Sequence, residues 1–422
     1  MSESTHITTL PCGLRVASVT MAELKTASVG IWVDVGARYE APEVNGVAHL
    51  LEHMAFKGTR GRTAKDIAEA IESVGGHLNA YTSREHTAYY ARILADDLPL
   101  AVDLLADILQ RSTFDEAELA KERSVVLQEI GQVQDTPDDL VFDLFQETAF
   151  PGQALGRSIL GPPEIVADMP RRALTDYMGR HYGPERMVLA AAGQVEHQRL
   201  VELALRLLSE LPKTPEPPFD PGRYAGGDHR DERDLEQAHV ILGLPAFSYT
   251  DDDLYALQVF STALGGGMSS RLFQEVREKR GLVYSIFSFA SCYADTGVLG
   301  IYAGTGERET ADLVPVVCEE LLKLIDAPAE EEISRARAQH KSGLLMSLES
   351  CSAQSEELAR QLLIFGRRIP LDEMVARIDA VDADAIRRVG RRLLDGAHPC
   401  LVGIGPLRNL PDLERVRRAL MP

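Results

Sequence analysis

The chain has 422 residues, 44 basic against 64 acidic, giving a formal net charge of −20 at pH 7. That length exceeds one ordinary core and divides naturally into two domains of about 200 residues each. The acidic balance argues against nucleic acid or anionic membranes as partners; it suits basic peptides, and it equally serves solubility alone. No apolar run reaches the roughly 18 residues of a membrane-spanning helix, and Met1–His6 shows no basic-then-apolar leader pattern. The five cysteines, at 12, 292, 318, 351 and 400, form no Cys-x-x-Cys pair. They read as reduced thiols of an intracellular protein. The expected location is the cytoplasm or, with a targeting segment removed, the mitochondrial matrix.

In chain order, periodicity and turn residues predict strands over 14–21 and 28–35, helices over 47–57 and 63–74, and strands over 77–84 and 87–94. Helices follow over 97–111 and 115–131, then a strand over 187–195 and a helix over 197–210. The stretch from Leu211 to Gly227 is polar and rich in Pro and Gly, the composition of an exposed linker. Beyond it come a strand (238–245), helices (251–264 and 269–279) and strands (283–292 and 297–305). Helices over 308–325 and 330–349 and a strand over 400–406 complete the second half. Neighbouring strands with short turns and grouped helices indicate an α+β fold on mainly antiparallel sheets. The similar order on both flanks suggests duplication, with domains at 1–212 and 228–422 around a linker at 213–227.

The most informative segment is Asn45-Gly-Val-Ala-His-Leu-Leu-Glu-His-Met-Ala-Phe-Lys-Gly58. Asn45 or Gly46 can open a helix there and Gly58 can close it. At about 100° per residue, His49 and His53 share one face with Glu52 beside them, while Val47, Leu50, Leu51 and Met54 take the opposite arc. Two imidazoles one turn apart can grip a divalent metal, and a non-ligand Glu between them can hold a water against it. This is the H-x-x-E-H order, reversed from H-E-x-x-H. Read alone, the pentamer is equally a polar helix surface, because a zinc site needs a third protein ligand.

Downstream, the helical pattern from Asp115 to Ile130 sets Glu122 and Glu129 two turns apart, projecting the same way. Leu119, Val125, Val126 and Ile130 flank that direction. A carboxylate inside an apolar stripe is costly unless paired or bound to metal, so the pattern favours inward-pointing groups over a solvated acidic face.

At this point the chain strongly resembles the pitrilysin/insulinase family of zinc peptidases, in its processing-peptidase branch. The family places a ligand Glu 76 residues after the second His, and another Glu seven before it; here those positions are Glu129 and Glu122. Flanking text matches too: His49–Thr59, Asn79–Glu85, His181–Met187 and Arg277-Glu-Lys-Arg-Gly-Leu-Val-Tyr284. The likeness runs from Leu14 to about Gly405. It implies two homologous domains facing each other as a clamshell, one Zn²⁺ per chain held by His49, His53 and Glu129, and Glu52 as the general base. Glu122 would orient a His ligand from behind or tune the metal.

The second half lacks the metal motif, having Val259-Phe-Ser-Thr-Ala-Leu-Gly-Gly-Gly-Met268 in its place. It offers Arg277 and Tyr284, spaced like the family's pair that reaches the substrate; on pattern alone they are a helix-end Arg and a strand Tyr. The resemblance makes Asn79, Ala80 and Tyr81 an open strand edge that pairs with extended substrate, where the alternation alone fits a core strand equally well. Asp139 and Asp143, one helical turn apart, match two family acids that receive an Arg shortly before the cleaved bond. Alternatively they are a solvated acidic stretch.

The expected activity is hydrolysis of short, extended, basic peptides or presequence-like segments. The family also contains non-catalytic scaffold subunits, which have eroded ligands, and zinc-bearing halves of obligate heterodimers. Here the ligand set is complete, and Arg277 and Tyr284 on the same chain favour self-sufficiency or a homodimer.

Overall fold

The computed structural model describes residues 4–216, 218–396 and 398–420. Its contacts divide into two compact units. Unit 1 comprises Met1–Gly131, Arg157–Asp220 and Leu345–Arg368; unit 2 comprises Gln132–Gly156, Pro221–Leu344 and Ile369–Pro422. The units therefore depart from the contiguous division expected around 213–227: each takes one segment from the opposite half of the chain.

Unit 1 is built on a six-stranded sheet of β1 (Ser4–Thr9), β2 (Arg15–Thr20), β3 (Thr26–Val33), β4 (His77–Thr82), β5 (Thr87–Leu94) and β6 (Met187–Gly193), in the order β1-β2-β6-β3-β5-β4. Only β2 and β6 run parallel. Unit 2 has five strands: β7 (Gly227–Glu232), β8 (Ala238–Ala246), β9 (Val283–Cys292), β10 (Gly297–Thr305) and β11 (Cys400–Gly405), in the order β7-β11-β8-β10-β9. Again one pair, β7 and β11, is parallel. With β1 set aside, the two sheets share one plan: the first strand lies parallel to the last, then come the second, fourth and third, all antiparallel. The duplication read from element order is thus a duplication of topology.

The exchanged segments explain why the central strands are apolar along their whole length. In unit 1, Val29, Ile31, Leu189 and Ala191 face the main helical layer. Trp32, Val188, Ala190 and Ala192 face Leu358, Ala359 and Leu362 of the helix Cys351–Phe365. In unit 2, Leu140, Val141 and Phe145 of the helix Pro137–Ala149 cover Ile241, Val402 and Ile404. A sheet covered on both faces needs strands without alternation, and β6 and β10 are buried throughout. Each covering Leu, Val or Phe side chain contributes on the order of 1.5–3 kcal/mol by burial.

The sequence missed β1 and β7, both polar edge strands whose residues alternate between exposed and half-buried. The helix expected over 269–279 runs as a π-helix over Phe273–Lys279. All five cysteines are unpaired. Among the described residues, no helix is long and apolar enough to cross a membrane.

Candidate metal centre

The H-x-x-E-H segment forms the helix Val47–Ala55, with Val47, Leu50, Leu51 and Met54 buried. Its start is fixed by two features. Gly46 has φ +97°, and a Cβ there would lie 2.7 Å from the carbonyl of Leu160, so only glycine fits. Glu40, fully buried, accepts from the backbone N–H groups of Gly46 and Ala48 at 2.8 Å each and from Asn45 Nδ2 at 2.7 Å. Burial pushes its carboxyl up to about 7, with the backbone donors pulling the other way. No local pattern signals this role, because Glu40 lies outside the helix it caps.

His49 and His53 stand on one face with ring centroids 4.7 Å apart. Opposite them runs the helix Glu116–Gln134, whose buried stripe is Leu119, Glu122, Val126 and Ile130; Val125 turns to solvent, contrary to expectation. Glu129 Oε2 lies 3.7 Å from His49 Nε2 and 3.5 Å from His53 Nε2. One ligand atom from each of the three residues falls within 4.8 Å of the other two. Donors bound to one zinc at about 2.0–2.1 Å in a tetrahedron sit roughly 3.3–3.5 Å apart, so the set fits zinc in both spacing and donor type.

The protonation of the set also fits. Burial pushes the His49 imidazole down to about 4, with His53 adding to the effect, so it is neutral with a free lone pair near pH 7. His53 Nδ1 lies 3.1 Å from Glu122 Oε2. A carboxylate accepts, so Nδ1 carries the proton and Nε2 is left to bind metal. Glu122, only 6% exposed, also receives Lys57 Nζ at 2.8 Å on Oε1.

Glu52 stands beside the triad and outside it. Burial raises its pKa, opposed by hydrogen bonding to Thr82. Thr82 ends β4, and among the described residues β4 pairs with β5 alone, so the strand beside Glu52 is a sheet edge and not a central strand. Its side chains serve different ends. Asn79 is exposed, with Oδ1 accepting from Ala80 N at 2.8 Å, and Ala80 packs in the core. Tyr81 points to the other face, where its hydroxyl donates to Glu356 Oε1 at 3.0 Å.

The model of the family described as Insulinase (Peptidase family M16) matches residues 15–163, and that of the Peptidase M16 inactive domain matches 168–340. An uncharacterised zinc protease of Streptomyces coelicolor is 42% identical over 412 residues, 95% of this chain and 90% of that protein. The chain belongs to the insulinase family. The human mitochondrial-processing peptidase subunit beta is 41% identical over 426 residues, covering 98% of this chain and 87% of that protein. A solved protease from Helicobacter pylori aligns with a TM-score of 0.87 over 96% of this chain and all of that one; at 23% identity this speaks for the fold.

The five residues from the two motif helices, His49, Glu52, His53, Glu122 and Glu129, all lie in the first matched region of this insulinase-family chain and in unit 1. Arg277, Tyr284, Asp139 and Asp143 lie in unit 2. Tyr284 is 75% exposed. The Arg277 guanidinium sits over the Phe273 ring, 4.6 Å from its centroid, and 5.8 Å from that of Tyr284. Asp139 is exposed and Asp143 half-buried on the helix Pro137–Ala149.

Proposed function

We propose that the chain is a zinc-dependent endopeptidase, one Zn²⁺ per chain, acting on short, extended, basic peptides or presequence-like segments. The observation that carries this is the convergence of His49, His53 and Glu129 within 4.8 Å, with Glu52 adjacent. The three residues would hold zinc, which when bound supplies a Lewis acid that acidifies water to near neutral pKa. Glu52, beside the three, takes the proton as water attacks the peptide carbonyl and delivers it to the leaving amine. Glu122 keeps His53 in the tautomer that presents Nε2. The outer edge of β4 pairs with extended substrate through its backbone, giving affinity with little sequence preference. Zinc content and peptide cleavage measured together on the purified chain test the proposal. A chain that cleaves peptides fully after chelation of its metal would refute it.

Preference would then rest on side chains. Asp139 and Asp143, one turn apart, suit a guanidinium near the cleaved bond. Asp139→Asn with Asp143→Asn should lower the ratio of Arg-containing to Arg-free peptide cleavage by roughly tenfold, since an exposed Asp139 places the contacts at the low end of charge-assisted bonds. An unchanged ratio returns the pair to solvated surface. Arg277 and Tyr284 are assigned to substrate through the resemblance, supported by the exposure of Tyr284. Tyr284→Phe at full zinc loading should cut kcat by roughly 10²–10³, the usual cost of one oxyanion donor; an unchanged kcat removes it from the reaction.

A homodimer is the first reading; the likeness to a mitochondrial-processing peptidase subunit favours a different partner chain as the second. Light scattering of the isolated chain, alone and after co-purification, separates the two. The five unpaired cysteines support a reducing compartment, the cytoplasm first and the mitochondrial matrix second; cell fractionation would decide.

A further inference from the structure

Lys57 is not among the residues that the H-x-x-E-H motif or the family spacing singles out, yet it continues their row. His49, His53 and Lys57 follow at i, i+4 and i+8, with Lys57 just beyond the helix end, where its N–H still bonds the carbonyl of Met54. Its ammonium folds back toward the site although the side chain stays partly exposed. It donates to Glu122 Oε1 at 2.8 Å, while Glu122 Oε2 faces His53 Nδ1 at 3.1 Å. The Glu122 side chain is 7% exposed and that of Lys57 31%.

We propose that Lys57 is a positioning residue for the metal ligand His53, acting through Glu122. A carboxylate with one oxygen free can rotate about its terminal torsion, which is broad and roughly two-fold. Lys57 holds Oε1, so Oε2 has one place to go. That fixes the imidazole plane and tautomer from behind, as outer partners of ligating histidines do. Lys57 also balances the charge of a carboxylate that burial would otherwise leave unpaired. This inference rests on the zinc-site reading.

Direct electrostatics predicts the opposite sign. A cation near the site repels Zn²⁺, so removing it should tighten binding. The two effects are separable because only one passes through Glu122.

The test is the zinc Kd by chelator competition and the visible absorption of the Co²⁺-substituted protein, for wild type, Lys57→Met, Lys57→Arg, Glu122→Gln and the double variant. Lys57→Met should weaken zinc binding 10- to 100-fold, the range for losing an outer partner, and alter the Co²⁺ spectrum. Lys57→Arg should restore most of the affinity. In the Glu122→Gln background Lys57→Met should change Kd less than threefold, or tighten it slightly. Should Lys57→Met bind zinc as tightly as wild type, or lose as much affinity without Glu122 as with it, the proposal is overturned while the zinc site stands. A wild-type chain that binds no zinc overturns both. Melting of the metal-free proteins by circular dichroism identifies a variant that has failed to fold, and Lys57→Arg then decides.

Discussion

Glu52→Gln is expected to bind zinc as the wild type does and to cleave peptides 10²–10⁴-fold more slowly, the usual contribution of a positioned general base. The geometry separates the two roles. His49, His53 and Glu129 converge on one point, and Glu52 is not among them. Glutamine keeps the size of glutamate and an oxygen for Thr82, so neither the helix Val47–Ala55 nor its packing should change. What it cannot do is take a proton from water. The effect should fall on kcat, since the amide still allows substrate to lie along β4. Metal analysis and single-turnover cleavage on the same preparation check this. Zinc lost from Glu52→Gln would make Glu52 a ligand, and undiminished turnover would end its role as base.

The residues that can be read from sequence and those that cannot differ in how local their causes are. The motif helix was legible because both its faces are encoded within nine residues, apolar against His/Glu. The strands β3, β5, β6, β8, β9, β10 and β11 were legible because they carry long β-rich or apolar runs between turn residues. The polar edge strands were not: Ser4–Thr9 and Gly227–Glu232 pair on one side only and bury too little to need an apolar pattern. The helix Cys351–Phe365 was not legible, and Pro137–Ala149 only as a helical face for Asp139 and Asp143; nothing local states which sheet each covers.

The site repeats this division. Helix pitch sets His49 with His53, and Glu122 with Glu129, each pair on one face of its own helix; only the family resemblance joined the two pairs. Glu40 caps a helix from outside it, and the value of Lys57 depends on the burial of Glu122, which no spacing rule contains. Tyr81 shows the converse case: alternation placed it on a half-buried strand, but only the sheet shows that its hydroxyl is taken by Glu356.

The largest expected effect belongs to Glu129→Ala, which should abolish stoichiometric zinc binding and all cleavage with it. Glu129 is the one metal-facing donor supplied by the helix Glu116–Gln134; without it His49 and His53 remain as two neighbours on a single helix. Three protein ligands hold a catalytic zinc, so the loss should exceed the 10- to 100-fold that an outer partner costs. The metal-free protein should lose no stability. Glu129 has its side chain 39% exposed, and its nearest ionisable partners are the two imidazoles, of which His49 is neutral near pH 7. Removing it also relieves its repulsion with Glu52. Thermal melts with and without added zinc read both effects together. Wild type at a hundred times its Kd should gain about 2.7 kcal/mol from the metal, while Glu129→Ala should start from an equal or slightly higher melting temperature and gain nothing. His49→Ala and His53→Ala should lose the zinc-dependent gain in the same way. A full zinc-dependent shift in Glu129→Ala would mean that the third ligand lies elsewhere and that the fit of these three residues is coincidental.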